Sequence, residues 1–190
     1  MLHIGDRLPP VALTTLDGSV TSLDEQRDGR PTLVLAVRYY GCLPCQHYLV
    51  DLDRHTAELE EAGIRVVTVG VAADFQAEHL AQTYDIAMPL LLDADQNLYR
   101  ALDLPRLRGL AWLRWSTYRN YVPLFWNRYI RRSVDGPTQG RPAGDATQMP
   151  GIAILDADGR LAYVHRGQGL GDYPPLAEVL AAARGVVAIA

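Results

Sequence analysis

The chain has two cysteines, three residues apart in Cys42-Leu43-Pro44-Cys45, and their placement between two periodic segments constrains the fold more than any other feature. Before them runs Thr32-Leu33-Val34-Leu35-Ala36-Val37, short, nearly continuous and rich in β-branched residues, the pattern of a strand covered on both faces. After them, Tyr48, Leu49, Leu52, Leu59 and Ala62 recur at helical spacing between Leu43 and Ala62. Asp51, Asp53, Arg54, Glu58, Glu60 and Glu61 fill the other face, and Gly63 supplies a stop. Arg65 to Val71 reads as a second buried strand, so strand, helix and strand form a unit that crosses over right-handed into a parallel pair. The two thiols are thereby expected where a central strand turns into a helix.

The flanking segments complete an α/β pattern. Val11 to Leu23 reads as a hairpin turning at Asp17-Gly18. Ala73 to Tyr84 and Asn97 to Leu102 read as helical, with Leu90-Leu91-Leu92 a short strand between them. Ile152 to Leu155 and Leu161 to Val164 bracket Asp156-Ala157-Asp158-Gly159 as a second hairpin, and Pro175 to Ala183 reads as a closing helix that begins with prolines. Ser133 to Thr147, with three glycines and two prolines, is loop by composition. At 190 residues the chain is long for one core and short for two. It therefore reads as a single domain, 1–190, carrying an insertion at 106–147.

Two thiols at i and i+3, the first at a helix start, meet unpaired backbone N–H groups and the positive end of the helix dipole, both of which favour a thiolate. The spacing also lets the sulfurs close an internal disulfide, so the pair can cycle between dithiol and disulfide, and Pro44 suits and stiffens the first turn. Cys42, nearer the helix start, is expected to be the more exposed of the two and the attacking sulfur. Pro150, in Gln148-Met149-Pro150-Gly151 ahead of the late hairpin, is the kind of residue whose fixed backbone packs against such a dithiol. A cis Met149–Pro150 bond is expected there, against the plainer reading of a proline that opens a strand. Arg38, at the end of the first core strand, can lower a thiol pKa or hold a peroxide or carboxylate oxygen, or else form a strand-end ion pair. His165 and Arg166, after the hairpin, are weaker candidates.

Taken together, these segments resemble the thioredoxin fold: a central mixed sheet flanked by helices, with an N-terminal β-hairpin and a helical insertion before a cis-Pro strand. Gly5-Asp6-Arg7-Leu8-Pro9 with the Asp17-Gly18 hairpin is similar to the peroxiredoxin branch, the alkyl hydroperoxide reductase/thiol-specific antioxidant (AhpC/TSA) family. Ala36-Val37-Arg38, Gly41-Cys42-Leu43-Pro44-Cys45, Gly144-Asp145, Gln148-Met149-Pro150-Gly151 and His165-Arg166 resemble its peroxiredoxin-like 2 and prostamide/prostaglandin F synthase-like subfamily. The resemblance implies a thiol-disulfide oxidoreductase or peroxiredoxin-like antioxidant enzyme with Cys42 and Cys45 as its catalytic pair and Arg38, Gly41, Pro44 and Pro150 supporting them. It would act on a peroxide or disulfide and be recycled by a thioredoxin-like protein or a low-molecular-weight thiol. Peroxiredoxins proper carry Pro-x-x-x-Thr/Ser-x-x-Cys, and laid over this chain that pattern puts the peroxidatic Cys at 45, the Thr/Ser at Cys42 and the Pro at Arg38. The thioredoxin pattern makes Cys42 the attacker; the peroxidase pattern makes it Cys45.

Other chemistries find less support. A C-x-x-C supplies two ligands of a zinc site, but a second C-x-x-C or H-x-x-x-H is missing, so no metal is expected. Gln46 stands where a c-type haem attachment needs His, and G-x-G-x-x-G, G-x-x-x-x-G-K and G-x-S-x-G are all absent, so no cofactor is expected. With a formal charge of −4 and no basic excess, nucleic acid is not an expected partner. The N-terminus lacks a basic stretch followed by an apolar run, and a C-x-x-C outside a stapling framework suits a reducing compartment, so a cytoplasmic location is expected. A non-catalytic redox sensor or adaptor on the same fold stands as the alternative to an enzyme.

One segment stands apart. All 18 basic residues are Arg, and seven of them lie in Arg106 to Arg132, with Trp112, Trp115, Tyr118, Tyr121, Phe125, Trp126 and Tyr129 and no acid. The rest of the chain is correspondingly acidic. Three readings apply: a membrane-surface helix broken at Pro123, aromatic cover for one edge of the core, or a lid or self-association patch beside the dithiol that admits a bulky hydroperoxide.

Overall fold

The computed structural model describes residues 2–72, 74–132 and 135–188. Strands β1 (Ala12–Thr14), β2 (Val20–Ser22), β3 (Thr32–Ala36), β4 (Arg65–Gly70), β5 (Leu90–Leu92), β6 (Gly151–Leu155) and β7 (Leu161–Arg166) form one mixed sheet in the order β2-β1-β5-β4-β3-β6-β7. Central β3 runs parallel to β4 and antiparallel to β6, with Ala36 opposite Val69 on one side and Gly151 on the other. Its apolar run is continuous because both faces are covered. Leu33, Leu35 and Val37 pack with Leu49, Leu52, Ile152, Ile154 and Val179 on one side. Val34 and Ala36 pack with Val67, Val69, Ala153 and Leu155 on the other. Each Leu, Ile or Val among them contributes about 1.5–3 kcal/mol of burial. Two buried tyrosines pin the strands across the sheet: the Tyr40 hydroxyl donates to Leu91 O at 2.7 Å, and the Tyr99 hydroxyl donates to Val69 O at 2.9 Å. Gly70 makes room for the Tyr40 ring, which would lie 2.4 Å from a Cβ at that position.

The helices are α1 (Leu23–Arg27), α2 (Leu43–Asp53), α3 (Thr56–Glu61), α4 (Asp74–Tyr84), α5 (Asn97–Ala101), α6 (Trp115–Tyr118), α7 (Tyr121–Phe125) and α8 (Leu176–Val187). The single helix expected from 43 to 62 is two. The Asp53 carboxylate accepts from the backbone N–H groups of Ala87 and Met88 at 3.1 and 3.0 Å, tying the end of α2 to the loop before β5. His55 N–H closes instead on Leu52 O at 2.9 Å, a tighter i→i−3 bond that ends the helix. The closing helix starts after Pro175 and continues past Ala183, because Val179, Leu180 and Ala183 remain buried on the α2 face of the sheet.

The Met149–Pro150 bond is trans, and no cis peptide occurs among the described residues, contrary to expectation. The approach to β6 is extended: Gln148 pairs with Arg106 in an isolated bridge, Met149 N–H donates to Pro105 O at 2.9 Å, and Pro150 O accepts from Gly167 N–H at 3.0 Å. A trans peptide continues that path. The insertion is a chain of single turns: a 3-10 turn at Gly109–Leu113, then α6 and α7, then a π-turn at Trp126–Ile130. Pro123 does not break it, because it falls in the first turn of α7, where its missing N–H is not needed. Ala111, Trp112, Tyr118 and Tyr121 pack on Leu107, Met149 and Leu170, so part of the insertion covers the sheet edge as core.

Candidate active site

The geometry of the dithiol follows from where β3 ends. The chain leaves the strand through Val37 and Arg38, turns at Tyr39 to Gly41, and enters α2 with Cys42 as its N-cap, Pro44 in the first turn and Cys45 one turn along. Cys42 N–H donates to Tyr39 O at 3.1 Å and Gln46 N–H to Cys42 O at 2.9 Å. Both cysteines are free thiols and both are buried, each 1% exposed, so Cys42 is not the more accessible one. The reason is a strap, residues 136–141, that lies over the turn.

Six polar contacts hold the strap down. Gly140 N–H donates to Gly41 O at 2.7 Å, and a Cβ at Gly140 would come within 2.9 Å of Gly41 Cα. The Gln139 amide oxygen accepts from Leu43 N–H at 3.2 Å, doing for α2 what an N-cap side chain does, since Cys42 itself makes no capping bond. Its amide nitrogen donates to Tyr39 Oη at 3.0 Å and Gly41 O at 3.1 Å. Gln46 donates to Thr138 O at 3.0 Å and Gln76 to Arg141 O at 2.7 Å. The insertion grips the other side, where Tyr129 Oη accepts from Gln139 N–H at 2.7 Å and Arg128 donates to Gly136 O and Pro137 O. Beyond the strap opens a cavity of about 330 Å³ lined by Tyr40, Gly41, Phe75, His79, Leu80 and Arg141.

Arg38 is buried behind the pair. Its Nη1 donates to Cys42 Sγ at 3.6 Å, its Nε to Gln148 O at 3.2 Å, and its Nη2 to Ala146 O. One guanidinium thus joins the dithiol to the segment that leads into Pro150. Pro150 is itself buried at the start of β6, where its carbonyl serves Gly167. His165 and Arg166 direct their polar groups elsewhere: the His165 ring to Asp172 O, and the Arg166 guanidinium to Leu102 O and Leu2 O.

Electrostatics separate the two sulfurs. Burial and the adjacent Cys45 push Cys42 well above the ordinary thiol range. Burial also acts to raise Cys45. It is outweighed by the hydrogen bond from Cys42, the Arg38 charge and the Tyr173 hydroxyl, which bring Cys45 down to about 7. Of the pair, Cys45 is thus held below the ordinary thiol range and Cys42 above it. Such a pair can present a nucleophilic thiolate with a thiol in position to close on it.

Sequence reasoning brought Arg38, Gly41, Cys42, Pro44 and Cys45 to one place, and the structure puts them at one turn. It missed Gln139, Tyr129 and Tyr173. The first lay in a segment read only as loop, the second among aromatics read as a block, and the third stood before Pro174-Pro175, where the prolines carried the signal.

The family model for AhpC/TSA antioxidant enzymes matches residues 51–169, a stretch that begins just after the dithiol. Peroxiredoxin-like 2C of Homo sapiens is 25% identical over 156 residues, covering 80% of this chain and 67% of that protein. Prostamide/prostaglandin F synthase of Bos taurus is 28% identical over 155 residues, covering 79% and 72%. Among solved structures, peroxidoxin BcpB from Mycobacterium tuberculosis superposes with a TM-score of 0.67 at 14% identity, over 100% of this chain and 99% of that one. Peroxiredoxin Q of Xanthomonas campestris gives 0.63 at 16% identity, over 99% and 96%. Those structures share the thioredoxin-like fold, and with the match across its sheet and insertion this chain belongs to the AhpC/TSA antioxidant enzyme family.

Proposed function

We propose that this protein is a thiol-dependent peroxidase in which Cys45 attacks and Cys42 resolves. The observation that carries the reading is the buried Arg38 guanidinium set against a dithiol whose inner sulfur ionises near neutrality. The Cys45 thiolate gives an electron pair to one peroxide oxygen and the O–O bond breaks. The departing oxygen takes up a proton as an alcohol or water, leaving a sulfenic acid on Cys45. Cys42 then attacks that sulfur, an S–S bond forms and water leaves. Two electrons from a thioredoxin-like protein, or from two molecules of a small thiol, return the pair to the dithiol. The reducing cytoplasm is the compartment that suits this cycle. Placing the attack on Cys45 agrees with the peroxidase pattern laid over the chain and reverses the preference for Cys42, which rested on an exposure that Cys42 does not have.

Separate Cys42→Ser and Cys45→Ser variants treated with peroxide test the reading by intact mass and by trapping with a sulfenic-acid reagent. Cys42→Ser should gain one oxygen on Cys45, and Cys45→Ser should stay reduced. Sulfenic acid on Cys42 alone would restore the thioredoxin assignment. A single oxidation without turnover in the presence of reductant would mark a sensor.

A further inference from the structure

The loop after β7 bears on the dithiol from the side opposite the strap. Gly171, at φ +69°, lies against Pro44, and a Cβ there would come within 2.6 Å of Pro44 Cβ. Two residues on, the Tyr173 ring stacks on Tyr48 with centroids 4.4 Å apart and planes 17° from parallel. Both residues line a groove of about 430 Å³, together with Pro44, His47, Leu124 and Leu176. Both hydroxyl oxygens are buried, and neither has a hydrogen-bond partner among the described residues. A buried hydroxyl left unpaired costs about 1–3 kcal/mol. Tyr48 has the Glu178 carboxylate acting on it, whereas Tyr173 has the Cys45 thiol. Its ring packs on the core cluster that contains Cys45, and its hydroxyl lies beside the Cys45 sulfur.

We propose that Tyr173 is a catalytic residue of this site, whose hydroxyl donates a hydrogen bond to the Cys45 sulfur when that sulfur is ionised and so holds the thiolate in place for attack. The inference rests on the proposed function in taking Cys45 as the reacting sulfur. The thiolate then has two donors, the Cys42 thiol from the helix start and the Tyr173 hydroxyl from the loop, with the Arg38 charge behind them. Protonation of Cys45 leaves the Tyr173 hydroxyl unpaired, so the contact favours the reactive form and not the resting thiol.

The test is the pH profile of Cys45 alkylation by iodoacetamide, located by mass spectrometry, in wild type, Tyr173→Phe and Tyr48→Phe. Phenylalanine keeps the stack and removes only the hydroxyl. Tyr173→Phe should move the midpoint upward and slow alkylation at neutral pH about tenfold, with rates converging at alkaline pH. Tyr48→Phe, which removes the other unpaired hydroxyl, should leave the midpoint unchanged. Equal midpoints in wild type and Tyr173→Phe, or equal shifts in both variants, would overturn the proposal. A measurement on the wild type alone serves if the variant fails to fold. The tyrosine ultraviolet difference spectrum between reduced and oxidised protein should titrate with the alkylation midpoint, and a difference spectrum flat with pH overturns the proposal. Peroxide turnover with no shift in Tyr173→Phe removes this inference and leaves the function standing. A shift in Tyr173→Phe without sulfenic acid on wild-type Cys45 does the reverse.

A different observation carries a second inference. Arg108, Arg114, Arg119, Arg131 and Arg132 are exposed and form no ion pair among the described residues. Beside them Leu110, Leu113, Trp115, Trp126 and Ile130 are at least half exposed. We infer that this face docks on an anionic lipid bilayer, with the guanidinium groups on phosphates and the tryptophan and aliphatic side chains at headgroup depth. The acidic remainder of the chain would be repelled and face away. Full-length protein should sediment with vesicles of phosphatidylglycerol and phosphatidylcholine, less so as salt rises, and not with phosphatidylcholine alone. Combined Arg114→Gln and Arg119→Gln, and separately Leu113→Ser with Trp115→Ser, should each abolish it. No binding, equal binding to neutral vesicles, or a soluble dimer that occupies this face and that the same variants dissociate would overturn the inference.

Discussion

Replacing Arg38 by Met removes the fixed charge behind the dithiol while nearly keeping its volume. At 3.6 Å from Cys42 Sγ and an effective dielectric constant of about 20, a unit charge is worth about 4–5 kcal/mol to an anion at that sulfur. With Cys45 as the attacking sulfur, one sulfur further than Cys42, and with the vacated space relaxing, a loss of about 3 kcal/mol is expected, close to the upper end for a hydrogen bond to a charged group. That corresponds to a roughly hundredfold smaller thiolate fraction at fixed pH. The assay is the rate of iodoacetamide alkylation of reduced protein as a function of pH, with each cysteine quantified by peptide mass. Arg38→Met should react about a hundredfold more slowly at neutral pH and approach the wild-type rate above the pKa values of both forms. Because Gln148 O and Ala146 O lose their donor, the variant should also unfold at lower urea, by about 2–3 kcal/mol. A neutral-pH rate within threefold of wild type, or a deficit that persists at high pH, would refute the electrostatic role. The second result would point to altered access.

Gln139→Ala removes the amide that caps α2 and ties the strap to Tyr39 and Gly41, and should speed alkylation of the dithiol by a bulky maleimide severalfold while costing about 1–2 kcal/mol in urea unfolding. Gly171→Ala combines a left-handed backbone with a Cβ 2.6 Å from Pro44 Cβ and should destabilise by more than 1 kcal/mol, with thermal unfolding as the measure. The reduced protein should also become more stable as pH rises from about 7 to about 9. Cys45 ionises at about 7 in the folded chain and at about 9 when unfolded, so between those values the unfolded state holds the extra proton. Stability from this source, on the order of 2 kcal/mol, is complete above the unfolded value and lost as pH falls through 7, and Cys45→Ser should not show it.

Much of the architecture was legible because it rests on periodic patterns. The alternation of Leu33, Leu35 and Val37 against Val34 and Ala36 requires two covered faces, and that requirement alone centres β3 in the sheet. The split between α2 and α3 was not legible, because the bonds that end α2 run from Asp53 to a loop more than thirty residues away, and side-chain spacing carries no trace of them. The trans bond at Pro150 was misread for a related reason. An isolated Met-Pro before a strand is compatible with either isomer until the partner segment at Pro105–Arg106 is known. At the site, residues adjacent in sequence to the cysteines could be found by proximity. Gln139 and Tyr173 could not, since each acts through a tertiary approach from a loop whose composition says only that it turns.

The strap over Cys42 and Cys45 has a kinetic consequence. With both sulfurs enclosed, the chemical step can begin only in molecules whose strap has lifted, and lifting breaks several hydrogen bonds worth roughly 1 kcal/mol each net. A cost of about 3–4 kcal/mol would leave on the order of one molecule in several hundred open at any instant, by the relation of about 1.4 kcal/mol per factor of ten. Oxidant acting on the dithiol and reductant acting on the disulfide would each have to wait for that opening. At high oxidant concentration the rate should level off at the frequency of opening, whatever the intrinsic nucleophilicity of the thiolate. The protein would behave as a timer set by the hydrogen bonds of the strap, slow to fire and equally slow to be discharged.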